Sequence, residues 1–153
     1  MKKLLEGHGY NQAEVVWHHE SLTLADGAEH LWALDELTRE VLGDILTLEF
    51  TEVKAILIVN LSPGGGTLIV GNAPYDCWWE PFGAIDDTVE VPRDSALLLT
   101  NRRDGWWVLS EQASSSSSGE SGAERILRVA ASGGIVTYSI AIIGTVAGSS
   151  SGV

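Results

Sequence analysis

The sequence predicts an all-β chain, an antiparallel β-sandwich of jelly-roll type with nine or ten strands and little helix. Three observations predict it. Short runs of β-branched and apolar residues recur at roughly 8–12-residue spacing, and Gly, Pro, Asp and Ser clusters bound them. Several runs, such as Val53–Leu61, are apolar on both faces, as expected of strands covered on both sides. At 153 residues with a single cysteine, the chain is long enough to bury a core without disulfide support. A plain sandwich or a barrel would use the same strand grammar.

Residues 1–13 hold two glycines and no period, and are expected to form an arm ahead of the domain at 14–147. Lys2-Lys3-Leu4-Leu5 resembles the start of a signal peptide, but Glu6-Gly7-His8-Gly9 interrupts the apolar segment such a peptide needs. Glu14–Leu24 is the first expected strand, ended by Ala25-Asp26-Gly27. Glu29–Leu37 is the second. Leu37–Gly43 (LTREVLG) carries helical propensity for a turn or two, and Ile45–Phe50 alternates as a half-buried strand.

Val53–Leu61 and Thr67–Gly71 flank Ser62-Pro63-Gly64-Gly65-Gly66. Pro63 fixes one φ and the glycines permit positive φ, so the two runs are expected to pair as an antiparallel hairpin. Asn72–Ala84 holds two prolines and one glycine and predicts a long loop. Asp87–Pro92 and Ser95–Asn101 are strands separated by Arg93-Asp94. Asn101–Gly105 is a turn expected to fold Trp106–Ser110 back onto the preceding strand. Ser114–Gly122 is a Ser/Gly-rich loop, Arg125–Ala131 and Ile135–Val146 a final hairpin, and residues 148–153 a flexible tail.

Composition excludes some partners. The net charge is −12, with no cation cluster larger than Lys2-Lys3 or Arg102-Arg103, so nucleic acid is not an expected ligand. The apolar run at 135–147 is too short and too polar for a membrane helix, and no membrane partner is expected. Cys77 lacks a partner for a bridge and is expected to be a small buried hydrophobe.

No catalytic signature stands out. His18 and His19 are neighbours, which on a strand point to opposite faces and so cannot readily share an ion with His30. Asp86-Asp87 near Asp76 and Glu80 lacks the dense alternation of a calcium loop. Ser62–Thr67 lacks the lysine and the following helix of a phosphate loop. Neither an enzyme nor a cofactor is expected.

The tryptophans carry more information. Four of the six come as adjacent pairs, Trp78-Trp79 and Trp106-Trp107. In extended chain one ring of a pair faces the core and the other faces out. Val108 should share the face of Trp106, and Leu109 that of Trp107. The outward ring can lie under a loop, at a subunit interface, or beneath a bound sugar. All four residues are candidate interface positions.

From Val53 onward the succession resembles a family. Its pieces are Val53–Leu61, Gly66-Thr67-Leu68-Ile69-Val70-Gly71, Val91-Pro92 ahead of Ala96–Asn101, Gly105-Trp106 with Val108, Arg125–Ala130 and Val136–Gly144. Together these resemble the small β-sandwich structural proteins of tailed phages and prophages, over about residues 50–145. The resemblance implies a non-enzymatic virion component, a capsid decoration or tail-associated protein. It implies homo-oligomers (a three-fold ring is the expected form) that dock on other virion proteins after assembly in the host cytoplasm. A carbohydrate-binding module or phage adhesin using exposed tryptophans is the alternative.

Overall fold

The computed structural model describes residues 13, 15–62, 65–109 and 123–147. Of the arm expected at 1–13 all but residue 13, together with the Ser/Gly-rich loop and the tail at 148–153, lies outside the described residues. All regular structure among the described residues is β: β1 Val15–Leu24, β2 Glu29–Ala33, β3 Leu37–Val41, β4 Asp44–Leu48, β5 Phe50–Asn60, β6 Thr67–Gly71, β7 Thr88–Val91, β8 Ala96–Thr100, β9 Trp106–Trp107, β10 Ile126–Ser132 and β11 Val136–Val146. One sheet has the order β1-β11-β5-β8, with β9 also paired to β5. A second has the order β2-β10-β6-β7, and β3-β4 forms a separate ribbon. All these strand pairs are antiparallel.

The two larger sheets share one core. The inward positions of the first sheet supply Trp17, Val53, Ile56, Ile58, Tyr138, Ile140 and Ile142, and those of the second supply Leu68, Val70, Leu127 and Val129. Period-two alternation produces this directly: in β11, Val136, Tyr138, Ile140 and Ile142 are buried while the residues between them are not fully so. Three bulges keep the pattern in phase, the third at Thr51 of β5 opposite Thr145 and Val146. In β1 one extra residue between His19 and Leu22, with Ser21 at φ 54°, turns Leu22 and Leu24 inward after Trp17 and His19. In β5 Lys54 is extra opposite Ile143 and Gly144. Gly144 is needed there, because a Cβ would sit 2.0 Å from the Glu52 carbonyl oxygen.

Turn positions follow the sequence, but strand partners do not. β5 and β6, expected as a hairpin, belong to different sheets, and so do β10 and β11. Their connections are arches across the core. At the first arch the buried Asn60 amide donates to the Gly66 and Val91 carbonyls, and its oxygen accepts from the Ser62 N–H. One polar side chain thereby ties β5 to the start of β6 and the end of β7. Trp106-Trp107 pairs with Glu52-Val53 of β5 and not with β8. β8 and β9 lie in succession along one edge of β5, and the Asn101–Gly105 turn closes on itself through Gly105 N–H to Asn101 C=O.

Leu37–Val41 is a strand and not a helical turn, which makes eleven strands in place of nine or ten. Leu42 and Gly43 both have positive φ, 53° and 90°, and close a two-residue hairpin between β3 and β4. That backbone form matches the strand twist, so hairpin pairing overrides the weak helical propensity of LTREVLG. β4 is mostly exposed and not half buried, since its only strand partner is β3.

Candidate association surface

The outward side of the first sheet follows from its register. Val16, Ile143, Ala55 and Thr100 form one row across β1, β11, β5 and β8. His18, Ala141, Leu57 and Leu98 form the next, and Ser139, Val59 and Ala96 the third. None of these residues is acidic, lysine or arginine, on a chain of net charge −12. Leu98 is 63% exposed, Val16 48% and Leu57 39%. A hollow of about 320 Å³ lies on this side, lined by Val16, His18, Glu20, Leu57, Val59 and Ala141 among others.

The outward side of the second sheet is covered over β2 and β10. The 72–87 loop lays Ala73 and Cys77 against Ile126, with Leu31, Ala33 and Trp79 packed around them. Arg125 bridges Asp35 at 3.1 Å and Asp76 at 3.2 Å, fastening the loop to the β2–β3 turn. Cys77 is buried as expected, accepting from the Ala73 N–H and donating to the Ile85 carbonyl.

The paired tryptophans divide between these environments. Trp78 is fully buried, and its indole N–H donates to the Trp107 carbonyl at 2.8 Å. Its ring meets Trp106 edge-on at 6.2 Å and 89°. Trp106 is half-buried opposite Val53 on the core side, and Trp79 is half-buried within the 72–87 loop, packed against the Ala73, Cys77 and Ile126 cluster. Trp107, opposite Glu52, points away from the core and is 55% exposed. Val108 is buried with Trp106 and Leu109 is exposed with Trp107, in the predicted order. Of the four candidates, Trp107 alone offers a largely bare ring.

Polar groups nearby have structural partners. Glu80, beside the nominated Asp86-Asp87, accepts the Trp107 N–H at 3.0 Å. Lys54, fully buried, donates to the Arg103 carbonyl at 3.0 Å and lies 3.8 Å from Glu52. His18 faces outward while His19 packs near Trp17 and Trp32, so the two point apart as strand geometry requires. Among the described residues, no group of three or more His, Cys, Asp or Glu is placed to hold a metal ion.

At the same end of the core, Trp32 donates its indole N–H to the Tyr138 oxygen at 3.0 Å. The Tyr138 hydroxyl also shares a hydrogen bond with His30 Nδ1 at 2.6 Å. Burial raises the Tyr138 pKa against the opposing effect of the Trp32 hydrogen bond, so the phenol stays protonated. Burial, and then the neighbouring His19, lower that of His30, which favours its neutral ring. This cluster is a satisfied polar network within an aromatic wall.

A second feature escaped the sequence reading. The tip of the β3–β4 ribbon exposes Val41, Leu42, Ile45 and Leu46, with Leu42 wholly exposed. A groove of about 750 Å³ separates the ribbon from β1, lined by His18, His19, Glu20, Arg39, Glu40 and Ile45 among others. Leu-Gly between the runs ending at Val41 and starting at Asp44 was the available turn signal. No protein-family model matches the chain, and none of the curated proteins matches it either.

Proposed function

We propose that this chain is a non-enzymatic structural protein that works by association: a virion component, capsid decoration or tail-associated, that assembles with itself and docks on other virion proteins. The carrying observation is the bare outer side of the β1-β11-β5-β8 sheet, where three rows hold no acid, lysine or arginine and Leu98, Val16 and Leu57 are exposed together. Contiguous apolar surface of this kind marks an interaction site. The strand order gives secondary support. With the β3–β4 ribbon and β9 set aside, the eight remaining strands run in the order first-eighth-third-sixth and second-seventh-fourth-fifth, which fits a jelly roll. Jelly rolls serve in viral capsids, an argument by analogy of fold alone.

Light scattering of the purified protein in the micromolar range tests the reading. A defined multimer, or co-sedimentation with phage heads or tails, is expected. A monomer that binds neither particle overturns it.

The exposed Trp107 ring favours a second reading, a carbohydrate-binding module, since lectins also use jelly rolls. Glycan-array binding that disappears in Trp107→Ala would put this reading first.

A further inference from the structure

The groove beside the β3–β4 ribbon has strand edges for walls. β1 pairs with β11 alone and β3 with β4 alone, so each keeps one open edge. Successive residues of an antiparallel strand point their backbone groups to opposite sides, which fixes where those edges look. In register with Asn60 and Tyr138, the Leu61 N–H donates to the Thr137 carbonyl, so Thr137 and its alternates face β5. Ile140 and Ile142 then face β1, where they stand opposite His19 and Trp17. Val16 and His18 are left with N–H and C=O turned away from the sheet. In the ribbon the two-residue turn makes Val41 and Asp44 the closing hydrogen-bonded pair, which turns Thr38 and Glu40 away from β4. Trp17 reports the same direction, since its indole N–H donates to the outward Thr38 carbonyl at 2.8 Å.

The two edges face each other. Val16, His18, Thr38 and Glu40 all line the groove of about 750 Å³. Among the described residues no backbone hydrogen bond joins β1 to β3. Paired strands lie about 4.8 Å apart, so a strand held between two others needs about 9.6 Å. Here an indole ring and one hydrogen bond together cross the gap, a span of that order, and the buried Trp17 forms its floor.

We propose that an extended segment of a partner protein adds to this groove as a strand, bonded on one side to β1 and on the other to β3. This rests on the docking half of the association reading above and names its contact. Backbone chemistry selects the occupant. Free groups at Val16 and His18 on one wall, and at Glu40 and the Thr38 N–H on the other, are matched by extended polypeptide, whose own N–H and C=O groups alternate between its two sides. A sugar or a lipid surface has no such repeat. Outside its sheets this chain has little to offer in that form. Gly7 and Gly9 interrupt residues 1–12, and residues 114–122 and 148–153 consist mostly of Ser and Gly. The segment therefore comes from another protein, and the exposed Val16, Val41 and Ile45 give it apolar walls.

The probe is a displayed library of random linear peptides of about seven residues, within the ordinary range of strand length, selected against the full chain. Its binders should slow hydrogen exchange at the Val16, His18, Thr38 and Glu40 amides. Each binder is then resynthesised with N-methyl groups at its odd positions or at its even ones. A strand held on both sides loses its donors to β1 in one form and to β3 in the other, so each form should bind at least about ten-fold more weakly. Weakening in one form only overturns the two-sided slot. Selection of no peptide, or binders that protect the Leu57–Leu98 row instead, overturns the insertion and leaves the association reading standing. Protection of these four amides already present in the free chain would put its own residues in the slot and overturn the choice of occupant. A chain that takes peptides between β1 and β3, yet neither multimerises nor binds phage heads or tails, upholds the slot and overturns the virion reading.

Discussion

The two sheets of this sandwich solve the same problem differently. Each has one side in the common core and an opposite side that also carries apolar residues. Over the second sheet the chain supplies its own cover, the 72–87 loop with Cys77 and Trp79, fastened by Arg125 to Asp35 and Asp76. Over the first sheet Val16, Leu57 and Leu98 remain exposed. Apolar strands therefore do not by themselves imply a partner. The informative fact is that the apolar part of one outer side is covered by the chain itself and that of the other is bare, and association is assigned to the bare one.

The largest expected effect lies where the cover meets the core. Trp78→Ala removes a fully buried ring, its contact with Trp106 and its hydrogen bond to β9, and should cost about 3–5 kcal/mol in a denaturant titration. Next comes the cover itself. Trp79→Ala should cost about 2 kcal/mol, because a half-buried ring over Ile126 is lost, and should leave the multimer unchanged at temperatures where the fold survives. If Trp79→Ala instead dissociates the multimer with little loss of stability, the second sheet is an interface too and the contrast collapses.

The core end shared by both sheets gives a smaller and pH-dependent effect. Tyr138→Phe leaves His30 Nδ1 and the Trp32 N–H without their partner, and about 1–2 kcal/mol of stability should be lost at neutral pH. In the native protein His30 has a pKa below its ordinary 6.5, so in the pH range just beneath that value the unfolded chain binds more protons than the folded one. The contribution of neutral His30 is fully present above pH 6.5 and declines as pH falls toward the lowered native value. Melting temperature should fall across that window. His30→Gln, which cannot take up the proton, should flatten the fall, and an unchanged slope would remove His30 as its cause.

Turn chemistry made much of this fold legible. Ala25-Asp26-Gly27, Arg93-Asp94 and Gly133-Gly134 all lie between strands, as their composition requires, and Ser132 ends β10. The partners of those strands were not legible, since an arch between sheets and a hairpin within one use the same Gly, Pro and Ser residues. Asn60 marks the difference at the first arch, but its role needs the Gly66 and Val91 carbonyls, which only the fold brings together. The site divides in the same way. Period two predicted opposite faces for Trp106 and Trp107, and Val108 and Leu109 follow them. The Leu57–Leu98 row depends on β5 lying beside β8, which local pattern does not specify. Leu42 was hidden because LTREVLG has the composition of a helical turn.

The smallest effect on folding should accompany the largest effect on assembly. Leu98→Lys sits on an exposed row and should change monomer stability by no more than about 0.5 kcal/mol, while the multimer dissociates. The most direct test of the contrast between the two outer sides is hydroxyl-radical footprinting of the wild-type protein at low and high micromolar concentration. Oxidation at Val16, Leu57 and Leu98 should fall as concentration rises, while Leu31 and Trp79 stay constant. Constant oxidation on both sides, or protection confined to Leu31 and Trp79, would contradict the account.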